Sequence, residues 1–263
     1  MSDTQSELAD LSAIAGFPLL LKTEAPYGLF RELGTPLAFS LAKAPDSDTV
    51  VGQVYSEGLH PRILDPWEVF GTGAMAQAYV IAPGAASDNF PCCHRYAKPA
   101  GDYPCLYEVW SGDALVYLQT PMERDVADVL YVRLKPGERV IVPEGWAVAV
   151  YNTGATALAC EWIVVPTKDI PQPVEWTRIQ DWDGLAHRVL RRDDGGVSFD
   201  LNPHYRTVPL PREIEAPELS AFGLTPGEPV LTMMEKNPEA FRWLLHPEEF
   251  AEPLNALYAE DEW

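Results

Sequence analysis

A carboxylate set inside an apolar run, a histidine and two tyrosines are the residues of this sequence best suited to proton chemistry. Glu161 interrupts the stretch Leu158-Ala159-Cys160-Glu161-Trp162-Ile163-Val164-Val165. Burial there disfavours the charged form, which lifts the carboxyl pKa toward a value useful for general acid–base work. The structural alternative is a Glu161 that faces outward at an edge or pairs with a nearby arginine. His94 follows the adjacent thiols Cys92 and Cys93. It is either a core histidine bonded to a neighbour or a base in a pocket. Tyr96 and Tyr107 can donate hydrogen bonds to a developing oxyanion, although aromatic side chains also fill β-rich cores. Cys92 and Cys93 beside His94 would suit a soft metal, but no fourth ligand stands at suitable spacing.

These residues sit in a chain of short strands. Between Met75 and Pro166, runs rich in Val, Tyr, Ile and Leu are separated by Gly, Pro and Asp turns. The runs are 77–82, 106–110, 114–119, 129–134, 139–142, 147–151 and 157–165, and this spacing predicts a β-barrel or sandwich. A hairpin is expected from 185–190 and 197–201, turned at Asp194-Gly195-Gly196. Residues 1–60 read as an irregular arm with one short amphipathic helix (Leu8, Leu11, Ile14), broken by prolines. Beyond Tyr205 a capped helix is expected from Asn237, with Pro238 at its first position and Phe241, Leu244 and Leu245 on one face. His246-Pro247 stops it, and a second short helix begins at Glu248. The domain reading is therefore an arm over 1–60, a barrel with its hairpin over 61–207, and a helical extension over 208–263.

Composition limits the partners. The 263 residues are 47% hydrophobic, enough for one sizeable core, and 39 acidic against 19 basic side chains leave a net charge of −20. Such a surface repels nucleic-acid phosphates and anionic membranes. The N-terminal cluster Leu19-Leu20-Leu21 is far too short to span a bilayer, so the expectation is a cytoplasmic protein with reduced thiols.

Three stretches together resemble the cupin-type glucose-6-phosphate isomerases. The first is His94-Arg95-Tyr96-Ala97-Lys98 with Tyr107, Gly112 and Leu118-Gln119-Thr120-Pro121. The second runs from Leu134-Lys135-Pro136-Gly137 through Val142-Pro143-Glu144-Gly145-Trp146-Ala147-Val148 to Asn152-Thr153-Gly154. The third is Gly184-Leu185 through the hairpin to Asn202-Pro203-His204-Tyr205. They cover a little over half of the chain. The resemblance implies an all-β fold, the cupin double-stranded β-helix or jelly-roll barrel, and a homodimer.

It also implies a divalent metal held by His-x-His, a Glu and a final His after Trp-Ala. Carried over by position, these fall on His94, Tyr96, Cys105 and Val148, so one ligand of four survives. No cofactor is expected on that basis. If a divalent metal (Fe, Mn, Zn or Ni) is held, His94 and Cys105 are its candidates, with Glu108 supplied by a three-residue shift of register. The sugar-phosphate contacts fall on Tyr79, Pro91, Cys93 and Val165, substitutions that remove hydroxyls without adding the charge a phosphate dianion favours.

Strand alternation extends the set. Cys105 facing the barrel brings Tyr107 inward, Val148 brings Val150 and Asn152, and the phase that aims Val165 inward also aims Ile163 and Glu161. The catalytic candidates are thus His94, Glu161, Tyr96 and Tyr107, and the substrate-binding candidates are Tyr79, Lys98, Cys105, Val148 and Asn152. Cys105 serves as a nucleophile only if His94 lowers its pKa. The leading expectation is an isomerase, cyclase or dehydratase moving protons on a small polar or carbonyl compound. The alternatives are a metal-dependent sugar-phosphate isomerase and a non-catalytic small-molecule-binding cupin.

Overall fold

The computed structural model describes residues 74–81, 90, 103–121, 123–156, 158–165 and 184–259, together with 67–68; at 67–68 and 75–80 only the backbone is described. The expected arm over 1–60, the segment carrying Cys92, Cys93, His94, Tyr96 and Lys98, and the side chain of Tyr79 lie outside the described residues.

Two sheets face each other. The first has the strand order β1-β2-β8-β3-β6, built from β1 (Trp67–Glu68), β2 (Met75–Ile81), β8 (Leu158–Val164), β3 (Cys105–Ser111) and β6 (Arg139–Val142). The second has the order β11-β5-β4-β7, from β11 (Arg212–Ile214), β5 (Asp128–Leu134), β4 (Ala114–Thr120) and β7 (Ala147–Asn152). A separate hairpin pairs β9 (His187–Arg191) with β10 (Val197–Leu201). This is the double-stranded β-helix that the resemblance implies. The expected strands agree with the observed ones to within a residue or two, because each is a β-branched or aromatic run between turn formers. Two of the sharp turns use glycine in the left-handed region, Gly137 (φ 84°) between β5 and β6 and Gly145 (φ 77°) between β6 and β7. A side chain there would be strained.

Period-2 alternation sorts the strands into three apolar layers. Between the sheets lie Cys105, Tyr107, Val109, Val116, Leu118 and Val148 with their neighbours. The outer face of the second sheet packs Leu115, Tyr117, Ala149 and Tyr151 against Leu185 and Val189 beneath the hairpin. The outer face of the first sheet packs Leu106, Trp110, Ile141, Ala159 and Ile163 against the C-terminal segment.

That segment was only partly legible. Helix α1 (Val230–Lys236) forms where no helix was expected, and Val230, Leu231, Met233 and Met234 are buried from it. The helix expected from Asn237 is a 3-10 helix over Pro238–Leu244, with no side-chain cap at Asn237 and a kink at Phe241. At Phe241 the backbone leaves the helical region (φ −101°, ψ 15°), which interrupts regular α-helical bonding, and Phe241, Trp243 and Leu244 are buried from this segment. After a further short 3-10 helix (Pro247–Phe250), α2 (Ala251–Ala256) completes the segment. Strand β11 also lies past the expected barrel end at 207, pairing parallel with β5. Among the described residues no helix is long and apolar enough to cross a membrane.

Candidate functional site

The barrel centre is built from the inward positions of β3, β7 and β8. Cys105 and Tyr107 of β3 point between the sheets, as do Val148 and Val150 of β7. Cys105 and Val148 are fully buried. Burial pushes the Cys105 thiol up to about 12, and the indole of Trp162 beside it offsets this only in part. A thiol so protected from ionisation is a poor nucleophile and a poor metal ligand. Tyr107 stacks on Trp162 with ring centroids 6.3 Å apart. Asn152 is fully buried, but its side-chain amide is committed to the carbonyls of Ile81 (2.8 Å) and Thr156 (2.9 Å) and its oxygen to the N–H of Gly154 (3.0 Å). It shapes the turn after β7 and is not placed to hold a substrate.

Tyr258, just after α2, packs into the same apolar cluster from one side of the barrel. Its hydroxyl donates to the carbonyl of Ile141 on β6 at 2.5 Å. Its own carbonyl accepts from Arg212 on β11 at 2.8 Å, and Arg212 in turn binds Asp128 of β5 at 2.8 Å. One residue thereby ties the two sheets together along an open seam. Burial raises the Tyr258 hydroxyl pKa, and the neighbouring Cys105 raises it further. The C-terminal segment thus reaches the position where the resemblance places a metal-binding glutamate.

Of the four ligand positions implied by the resemblance, two are described. Val148 has no donor atom, and Cys105 is a neutral thiol in apolar surroundings, so neither fits a hard or borderline divalent metal. Glu108 cannot replace them. It lies on the opposite face of β3, where Arg139 Nε donates to it at 2.7 Å, Trp110 Nε1 at 3.2 Å and the Val230 N–H at 3.2 Å. The shifted register is therefore excluded by the pairing of β3 with β6, in which Glu108 stands opposite Arg139.

Glu161 requires the larger correction. On β8 the residues turned into the barrel are Leu158, Cys160, Trp162 and Val164, whereas Ala159, Ile163 and Val165 pack toward the C-terminal segment. Glu161 shares the phase of the second group and stands opposite Glu108 in the β3–β8 pairing. The expectation that Val165, Ile163 and Glu161 face the cavity had the strand phase inverted. Glu161 is nonetheless fully buried, and neither carboxylate oxygen has a hydrogen-bond partner among the described residues. Its pKa is raised well above the ordinary carboxylate value, first by burial and then by the Glu108 charge, with Arg139 opposing. Burial raises Glu108 as well, but Arg139, Val230 and Trp110 all counter that shift. The proton of the pair therefore resides on Glu161, and Glu108 is the ionised partner of Arg139.

Sequence reasoning missed Arg139 and His187. Arg139 is buried and also donates to the carbonyls of Thr225 (2.9 Å) and Glu228. Its signal was a cation opening the apolar strand Arg139-Val140-Ile141-Val142. His187 accepts or donates through Nδ1 to the Tyr117 hydroxyl at 2.9 Å beneath the hairpin. Burial lowers its pKa to about 4, so it is neutral at pH 7. Nearby, Gln119 accepts from the Ala186 N–H at 2.7 Å, and Tyr205 donates to Gly184 at 2.9 Å. These bonds fasten the hairpin to the second sheet.

A surface groove of about 690 Å³ lies outside the barrel, between the β6–β7 turn and the last helices. Glu144, Trp146, Glu248, Leu254, Asn255 and Tyr258 contribute to its walls.

The family model described as glucose-6-phosphate isomerase matches residues 81–204, a little under half of the chain. Among curated proteins, none matches. Similar solved structures include the cupin domain of Schizosaccharomyces pombe Cnp3, 17% identical over 39% of this chain and 61% of that one, with a TM-score of 0.28. This chain therefore spans under two thirds of the length of that domain. An RmlC-like cupin from Methanocaldococcus jannaschii is 13% identical over 35% of this chain and 70% of that one, with a TM-score of 0.26. Over residues 81–204 this chain is therefore similar to the glucose-6-phosphate isomerase family, the family that its sequence motifs resemble.

Proposed function

We propose that this protein is a cupin of isomerase type whose barrel centre no longer carries out metal-centred catalysis, and that it acts by binding a small molecule. One observation carries this reading: the ligand-equivalent positions Cys105 and Val148 are fully buried in an apolar cluster into which the chain packs its own Tyr258. Groups buried this way offer no hydrated metal and no titratable base near neutrality. The groove beside Trp146 and Tyr258 is the better place for a ligand. Aromatic walls with Glu144 and Glu248 suit a compact cation with an apolar face.

A second reading is favoured by the family match. It keeps an isomerase-like proton transfer, with Tyr107 inside the barrel and His94 and Tyr96 as its companions in sequence. An aldose-to-ketose assay with glucose 6-phosphate, run with and without added Mn, Fe, Zn or Ni, separates the two. The binding reading expects no turnover above buffer under any of these conditions. Turnover that disappears in His94→Ala or Tyr107→Phe establishes the second reading instead. The homodimer implied by the resemblance is measured in the same preparations by sedimentation.

A further inference from the structure

Glu161 has no part in either reading, yet a fully buried carboxyl without a hydrogen-bond partner among the described residues is costly to keep. Its surroundings are specific. From β3 it faces Glu108, its cross-strand partner; from β2 its partner is Ala78. From β6 the nearby cation is Arg139, already engaged by Glu108 and by the carbonyls of Thr225 and Glu228. On its own strand Cys160 points the other way, into the barrel. The C-terminal segment brings apolar side chains and the Val230 N–H, which is spent on Glu108, while the Glu228 carboxylate is held by Lys236 at 2.5 Å. No described donor remains to solvate a second negative charge.

The same cluster clasps the C-terminal segment. Glu108 holds the start of α1 through Val230, and Arg139 holds both ends of the turn before it, at Thr225 and Glu228. A charge on Glu161 would oppose the Glu108 charge at that clasp and would have to be hydrated by lifting the segment. We propose that Glu161 is a proton-controlled latch: protonated, it lets residues 219–258 sit on the outer face of the first sheet, and its ionisation releases them. Release would also withdraw Tyr258 from the seam beside Cys105, unsealing the barrel interior.

The sign follows from linkage. The closed form holds the Glu161 proton more tightly than an open form in which the carboxyl meets water. Seating is complete below the ordinary carboxylate range and weakens as pH rises above it. The opening equilibrium grows by up to about tenfold per pH unit, then levels off once pH passes the raised closed-state value. The proton goes to solvent, and nothing else is consumed.

The test is limited proteolysis of the full-length protein with subtilisin from about pH 5.5 to about pH 9, with cuts located by mass spectrometry. Wild type is compared at each pH with Glu161→Gln, and with Glu161→Met in case glutamine is poorly accommodated. The ratio of wild-type to variant cleavage within 219–258 should climb with pH by up to about tenfold per unit. A ratio that stays flat, or cleavage rising only elsewhere in the chain, overturns the latch.

Discussion

The two faces of the first sheet bury different things. Between the sheets, β3 and β8 present Cys105, Tyr107, Cys160 and Trp162 to an apolar interior. On the outside, the same two strands present Glu108 and Glu161, joined by Arg139 from β6, beneath the C-terminal segment. The cupin interior, where metal chemistry would reside, thus has no described charge, and the charges sit where a covering element docks. A buried ion pair contributes little net stability, but it is unforgiving of a missing partner. It therefore fixes where α1 must sit more than how tightly the whole chain folds.

The contrast can be broken by removing one member at a time. Arg139→Met leaves two buried carboxyls facing each other, and the expected loss is about 3–5 kcal/mol in urea denaturation. Adding Glu108→Leu to it should recover most of that loss; failure to recover would mean that Arg139 acts chiefly through Thr225 and Glu228. For the interior, Tyr258→Ala should cost about 3 kcal/mol, whereas Tyr258→Phe, which loses only the bond to Ile141, should cost about 1 kcal/mol.

The hairpin side gives a smaller, pH-dependent effect. His187 is held below its ordinary value of 6.5, at about 4, so the unfolded chain takes up a proton before the folded one does. Stability on this account is full above about pH 6.5 and falls as pH drops toward about 4, by on the order of 1–2 kcal/mol. Thermal melts of wild type and His187→Phe across that window should converge at the acid end. The smallest effect belongs to the half-exposed pair Arg133–Glu213, 2.9 Å apart. Arg133→Ala should change stability by about 0–1 kcal/mol, which sharpens the contrast with Arg139.

The strands of the barrel were legible because alternation and turn residues are local signals, and β3 to β8 announce themselves in sequence. The phase of β8 was not. Its residues 158–165 are almost all apolar, since both faces are covered, so alternation carries no information about which face is inward. Only Glu161 broke the pattern, and a buried carboxyl reads the same from either side. Cys105 and Tyr107 were placed inward correctly because β3 is pinned at both ends by the family-like motifs. Helix α1 escaped notice because seven residues without a cap leave almost no periodicity, and the docking surface that orders it lies far away in sequence.

Tyr258 of the C-terminal segment packs into the barrel interior beside Cys105 and closes it. Alkylation of Cys105 by iodoacetamide at neutral pH, followed peptide by peptide in the native full-length protein, tests this closure most directly. Cys105 should stay unlabelled until the protein unfolds, and should label much faster in Tyr258→Ala. Rapid labelling of Cys105 in the native wild type would contradict it.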